Sequence, residues 1–430
     1  MISCYTDYSQ KLTGYHGLRK FLCYPLVKNH MWRDPMSDVI KIGLLWHSLS
    51  SGNLGVRALT ISQLDMLDKI AQRNNYKVDI TIIGNIKHTS FAITEYESSN
   101  VSIRPEYIAI NASSWRSGIK RMPEMFLAFR KFDMVIDIGE GDSFTDIYGH
   151  ARYFRQIYSR FIAVISGRPL ILGPQTIGPF STGRRERIAG WIIRHASKIY
   201  VRDELSLALV NRLARDRNAF CSTDLAMGLP YVSSAAPSGG KPRVGINVSG
   251  LLYDVAEARF DLKIDYKDLI HQLIERIEPH AEIVIVNHVT AGPGHADNDE
   301  IAAVKLKARY PAIEVAPKFS DPRDAKEYIS GLDFFTGARM HACIGAFSSG
   351  VPHISMAYSR KATGLFRSLG YDHVLDLTEQ NNINLAVQMI TDGFERRAEL
   401  GSETQSALKL AKDKLRVFET DLEALMEQIR

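Results

Sequence analysis

The sequence predicts an α/β chain in which two Rossmann-like domains face a cleft. Three observations predict it: short apolar runs alternate with stretches of helical period, Gly-rich loops follow several of the runs, and one breaker-rich stretch divides the series. A chain of 430 residues is long enough for two or three domains, each with its own core.

Residues 1–38 come first, as an irregular extension containing several aromatic residues. Its apolar stretch from Phe21 to Val27 is short, broken by Pro25 and without a small-residue cleavage pattern, so no signal peptide is expected. Such an arm packs on the body, frays, or lies on a membrane surface. The first domain is expected over residues 39–230. Residues 40–46 read as a buried strand, a turn-rich loop through Gly52, Asn53 and Gly55 follows, and Ala58, Ile61, Leu64, Leu67 and Ile70 recur at helical spacing. Residues 78–84 are a strand again, and strand, Gly loop, helix, strand is the unit of a parallel sheet. Further strands are expected at 134–138, 170–172 and 199–201, with a helix over 203–213.

Residues 231–242 hold prolines, glycines and serines without periodicity and are read as a linker. A second domain is expected over 243–400, with strands at 244–248, 283–286, 334–336 and 352–356 and helices over 265–277 and 338–347. Two such halves bind ligands at the carboxyl ends of their strands. In the tail, residues 401–430, Leu408, Ala411, Leu415, Phe418, Leu422, Leu425 and Ile429 alternate spacings of three and four. That stripe either folds over its own domain or pairs with a second copy as a homo-oligomer.

Lys and Arg total 53 against 48 Asp and Glu, a net charge of +5 that gives no ground for a nucleic-acid partner but leaves local anion pockets open. Cys4, Cys23, Cys221 and Cys343 are far apart and show no CxxC spacing, which disfavours disulfides and zinc and suits a reducing, cytoplasmic location. No apolar run reaches the roughly 18 residues of a membrane span.

The strongest local signal is Thr336-Gly337-Ala338-Arg339-Met340-His341. With a strand ending at Thr336 and a helix beginning near Ala338, Arg339 and His341 fall in the first helical turn, where free N–H groups and the macrodipole favour an anion. Arginine adds a planar fork and histidine a proton titratable near neutrality. A local cap or salt bridge for Arg339 and a satisfied core site for His341 are the alternatives. Gly139 to Asp146 offers Gly141, Asp142 and Ser143 after another strand; glycine allows close approach, and a carboxylate can take a proton from a sugar hydroxyl. Asp142 and Ser143 could equally cap the next helix.

Gln175 and Thr176 sit at the tip of a loop between two Gly-Pro turns. Arg202 ends a strand and precedes Asp203, so it is either an anion ligand or an Asp-paired structural arginine. His288 opens a His- and Asp-rich loop whose spacing matches no metal motif. Tyr358 and Lys361 follow the strand at 352–356, and Lys361 either meets an anion or decorates a helix. The loops lack GxGxxG and the acidic residue a dinucleotide needs, so NAD is disfavoured. Neither a metal nor a cofactor is expected.

Taken in order, the Asn53-Leu54-Gly55 loop, Gly139-Glu140-Gly141-Asp142-Ser143, the Gly173 to Pro179 loop, Arg202-Asp203-Glu204, Asp224, Arg339-Met340-His341, Tyr358 and Lys361 resemble the polysaccharide pyruvyl transferase family. The resemblance covers roughly residues 40–370. It departs where this chain has Gly55-Val56 for the family's Gly-Asp, and Glu140 where relatives carry glycine. It implies a fold similar to GT-B glycosyltransferases and transfer of pyruvate from phosphoenolpyruvate onto a saccharide, usually as a ketal, in exopolysaccharide or cell-surface glycan synthesis. It further implies His341 and Arg339 at the donor, with Asp142 a candidate hydroxyl base. Phosphoenolpyruvate and a saccharide acceptor, lipid-linked or nucleotide-linked, are then the partners, and the inner membrane face is an open location. A GT-B glycosyltransferase using a nucleotide sugar and a non-catalytic glycan-binding member are the competing readings.

Overall fold

The computed structural model describes residues 39–84, 98–104, 108–110, 115–142, 144–214, 219–234, 239–255, 261–290 and 297–430. The expected N-terminal extension and Ser143 lie outside them.

Two parallel sheets organise the chain from Asp38 to Arg430. The first holds β1 (Val39–Leu45), β2 (Lys77–Gly84), β3 (Val101–Ile103), β4 (Ile108–Ala109), β5 (Met134–Asp137), β6 (Leu170–Gln175), β7 (Lys198–Val201) and β8 (Phe220–Cys221). Its order is β3-β2-β1-β5-β6-β7-β8, with β4 also on β2. The second holds β9 (Arg243–Asn247), β10 (Glu282–Ile285), β11 (Glu314–Val315), β12 (Phe334–Gly337), β13 (His353–Ala357) and β14 (Val374–Asp376), in the order β11-β10-β9-β12-β13-β14. Parallel strands need crossover helices on both faces, which is why their central members are apolar on both sides. Ile40, Ile42, Leu44 and Leu45 in β1, and Val244 and Ile246 in β9, are fully buried.

The helix Tyr266–Ile277 illustrates how the crossovers arise. Asp265 caps it, accepting from the backbone N–H of Lys267 at 2.8 Å and Asp268 at 3.1 Å. Leu269, Ile270, Leu273, Ile274 and Ile277 then form a stripe that is buried against the second sheet. Each such side chain contributes about 1.5–3 kcal/mol by leaving water.

The tail stripe folds back on its own chain. The helix Arg397–Ile429 begins before the expected residue 401 and buries Leu408, Ala411, Leu415, Phe418 and Leu422. Phe418 meets the ring of Tyr200 in the first sheet edge-on at 4.7 Å, and Arg73 pairs with Glu419 at 2.7 Å and Glu423 at 3.1 Å. The helix thus ties the end of the chain to its first half. No described helix is long and apolar enough to cross a membrane.

Because every strand pair is parallel, the carboxyl ends of each sheet lie along one edge. The two edges meet: Asn53 and Val289 form an antiparallel bridge, Leu54 N–H donates to the His288 carbonyl at 3.3 Å, and Thr290 N–H donates to the Gly52 carbonyl at 3.1 Å.

Candidate functional site

After β5 the backbone turns through three consecutive residues of positive φ: Gly139 at 54°, Glu140 at 50° and Gly141 at 89°. Glu140 is the strained member, since an L side chain in this region costs roughly 1–2 kcal/mol, and its carboxylate is held by Arg152. The turn delivers Asp142 into the cleft. Its Oδ2 accepts from Tyr148 Oη at 2.6 Å and pairs with Lys361 Nζ from the second half, which also touches Tyr148 Oη. The next described helix, His150–Ile165, has Gly149 at its cap, so Asp142 faces the cleft and caps nothing there. Burial would raise the Asp142 pKa, but Lys361 and then Arg202 hold it well below the usual carboxylate range.

Arg202, at the end of β7, is almost fully buried. Its counter-ion is Asp224, after β8, and its Nε donates to Thr176 Oγ1 at 2.9 Å. Thr176 in turn donates to Asp203 Oδ2 at 3.0 Å, so Asp203 acts on Arg202 only through Thr176. Gly141 backs the guanidinium: a Cβ there would lie 3.2 Å from Arg202 Nη1.

Gln175 goes elsewhere. β6 runs on through Gly173 and Pro174 to Gln175, beyond the expected end at Leu172. The Gln175 side chain is fully buried, donating to the Asp137 carbonyl at 2.8 Å and accepting from Arg160 at 3.3 Å. It braces the sheet, and Thr176 hydrogen-bonds the Arg202 guanidinium.

In the second half Arg339 is the cap of the helix Met340–Ser349, which begins two residues later than the sequence suggests. Its N–H donates to Asn247 Oδ1 at 2.9 Å. Its guanidinium meets Asp299 Oδ1 at 2.7 and 3.1 Å and Asp297 Oδ1 at 2.7 Å. Asp299 is a residue that sequence reasoning missed. Buried at the start of the helix Asp299–Arg309, it also accepts from the backbone N–H groups of Gly250, His288 and Val289, at 3.0, 3.1 and 3.0 Å. Its sequence signal was its place in the His- and Asp-rich loop that His288 opens. Burial would lower the Arg339 pKa, yet the Asp299 carboxylate reverses the direction.

His341 follows in the first helical turn, against the start of the helix Leu54–Asn74. A Cβ on Gly55 would sit 2.3 Å from His341 Nδ1, so only glycine lets the ring lie there. Its Nε2 has no hydrogen-bond partner and is 3.8 Å from Asp224 Oδ2. Burial lowers its pKa below 6.5; Asp224 opposes that shift and Arg202 adds to it. His288 is buried with neither ring nitrogen hydrogen-bonded, and burial, then the charges of His341 and Arg339, push its pKa down to about 3. The Tyr358 hydroxyl, raised by burial, lies within electrostatic reach of Arg339, Asp297 and Asp142.

One cleft thus gathers Asp142, Gly141, Arg202, His288, Arg339, His341, Tyr358 and Lys361, together with Asp224, Asp299 and Tyr148. Each cation has a carboxylate beside it, and the two imidazoles have free nitrogens. Such a site can take a multiply charged anion and move a proton. No cluster suited to a metal ion occurs among the described residues.

A family model described as polysaccharide pyruvyl transferase matches residues 53–360. The amylovoran biosynthesis protein AmsJ of Erwinia amylovora is 21% identical over 261 residues, which are 56% of this chain and 60% of that protein. This chain therefore spans less than two thirds of that relative. HepE of Anabaena, solved with UDP and glucose, superposes with a TM-score of 0.55 at 14% identity over 90% of this chain and 99% of its own. Sucrose-phosphate synthase of Thermosynechococcus elongatus gives 0.52 at 11% identity, over 91% and 99%. A putative UDP-N-acetylglucosamine 2-epimerase of Listeria monocytogenes gives 0.51 at 10% identity, over 86% and 90%. At these identities the likeness is one of fold, and the fold is GT-B-like.

Proposed function

The chain belongs to the polysaccharide pyruvyl transferase family, and we propose that it transfers pyruvate from phosphoenolpyruvate onto a saccharide, closing a ketal, in exopolysaccharide or cell-surface glycan synthesis. The observation that carries this reading is His341, with an unpartnered Nε2, within electrostatic reach of Arg202 and Lys361 and two residues after the buried Arg339. A donor bearing both phosphate and carboxylate can engage cations from both halves, and guanidinium forks suit both groups.

His341 supplies a proton to the donor methylene, which becomes a methyl group as positive charge develops on the adjacent carbon. A sugar hydroxyl bonds to that carbon and passes its proton to Asp142. The bond to the phosphate oxygen then breaks with its electron pair, and a second hydroxyl of the same sugar completes the ketal. One hydroxyl proton replaces the proton spent by His341, and the other leaves with phosphate.

The test is incubation with phosphoenolpyruvate and a panel of saccharide acceptors, following phosphate release and acceptor mass. Acceptor-dependent release that is lost in Arg339→Ala and His341→Ala is the expected result. Binding of a uridine or guanosine diphosphate sugar without binding of phosphoenolpyruvate overturns it.

A further inference from the structure

Of the cations in the cleft, Lys361 is held differently from the other two. Arg202 and Asp224 are 1% and 0% exposed, and Arg339 and Asp299 are 9% and 0%, each pair fixed by further hydrogen bonds. Lys361 and Asp142 are 20% and 22% exposed, and they come from opposite halves of the chain. The lysine rides on the helix Arg360–Arg367 at the end of β13, while Asp142 and Tyr148 belong to the loop after β5. Three groups close on one another: Tyr148 donates to Asp142 Oδ2 at 2.6 Å, and the ammonium contacts both oxygens. So arranged, Oδ2 of Asp142 takes both contacts, and the adjacent ammonium makes the whole carboxylate a poor base for a hydroxyl.

We propose that Lys361 exchanges partners, from Asp142 to the incoming donor, and that this exchange releases Asp142 as the base for the acceptor hydroxyl. The inference rests on the donor assignment above. A flexible four-carbon stem lets the ammonium move without moving the helix, and a phosphate ester offers it more negative charge than one carboxylate does. Once the ammonium has gone, Asp142 still faces Arg202, His341, Tyr358 and the Tyr148 hydroxyl, but its strongest cationic partner is spent on the donor and its basicity rises. The base is thereby available only when the donor is in place. The exchange thus couples activation of the acceptor hydroxyl to the presence of the donor.

The experiment measures phosphoenolpyruvate affinity calorimetrically for the wild-type chain, Asp142→Asn, Lys361→Gln and the double variant. Asp142→Asn is isosteric, and circular dichroism establishes that each variant is folded. With its competitor removed, Lys361 should bind the donor about tenfold more tightly in Asp142→Asn, although turnover is lost. Lys361→Gln should bind it about tenfold more weakly, and adding Asp142→Asn to that variant should change nothing. An equal gain in both backgrounds shows a general field effect without exchange and overturns the proposal, as does weaker binding in Asp142→Asn. Absence of donor binding by the folded wild-type chain overturns the donor assignment itself, a different failure.

Discussion

Replacing Asp224 by asparagine separates the charge of this residue from its shape. Asp224 has two tasks: Oδ1 accepts from Ala226 N–H at 2.9 Å, capping the turn Leu225–Gly228, and Oδ2 pairs with Arg202. Asparagine keeps the cap and removes the counter-ion. Arg202 is 1% exposed and retains the Thr176 bond and the more distant Asp142 carboxylate, so a buried guanidinium loses its paired counter-ion. Breaking a buried pair from one side costs about 3–5 kcal/mol, and the surviving Thr176 bond places the expectation near the lower end. The loss reads as a fall in the urea midpoint of the chain. Because the missing charge is negative, phosphoenolpyruvate should restore more stability to the variant than it adds to the wild-type chain. Asp224 also supports the protonated form of His341, so the high-pH limb of any pH–rate profile, where that acid is lost, should move to lower pH. A midpoint unchanged within about 0.5 kcal/mol, or a loss that the donor does not offset, would refute the reasoning.

Three other outcomes follow from the same geometry. The rings of His47, His288 and His353 are buried and pushed down to about 3; below pH 6.5 the unfolded chain takes up protons that the folded chain refuses. Stability should therefore fall as pH drops from about 6.5 towards 3, by up to about 1.4 kcal/mol per pH unit for each ring, and equal urea midpoints at neutral and mildly acidic pH would contradict it. His341 is neutral at pH 7 in the free protein, and a bound polyanion raises its pKa, so donor binding should take up a proton and weaken with rising pH; calorimetry in buffers of different ionisation heat measures this directly. Gly55→Ala places a methyl group 2.3 Å from His341 Nδ1, which should destabilise the chain by about 1–3 kcal/mol and weaken donor binding, whereas undiminished binding would show that the ring is not needed where it lies.

The long central strands were legible because parallel strands buried on both faces are written as unbroken apolar runs. The expected 40–46 and 283–286 differ from β1 and β10 by one residue at each end. Edge strands β3, β8, β11 and β14 hold two or three residues each, too few for any period to show. The helix His150–Ile165 escaped for a different reason: Gln156, Ser159 and Arg160 are among its fully buried positions, and Arg160 is held there by Asp137 at 2.5 Å. A polar residue on the inner face interrupts the apolar stripe that a reader follows.

At the site, the residues visible in sequence are those that a strand end announces, such as Arg202, His341 and Lys361. What stayed hidden was pairing. Asp224 rather than Asp203 balances Arg202, and Asp299 balances Arg339 across 40 positions, relations that exist only once separate strand ends converge. Gly173-Pro174 signals a turn in the sequence, whereas the strand continues through both residues to Gln175.

The carboxylates beside the cations bear on which ligands the cleft can select. An empty cleft holding the buried guanidiniums of Arg202 and Arg339 without counter-ions would carry a desolvation penalty of several kcal/mol for each. Asp224 and Asp299 remove that penalty, but they also set a threshold, because a ligand must offer these groups more than a carboxylate already does. A monoanion brings Lys361 nothing that Asp142 lacks. On the proposed reading, a donor with both a phosphate and a carboxylate would draw on cations from both halves, Arg202 from the first and Arg339 or Lys361 from the second. On that reading discrimination arises from the number and separation of charges, and the acidic residues of the site take part in it.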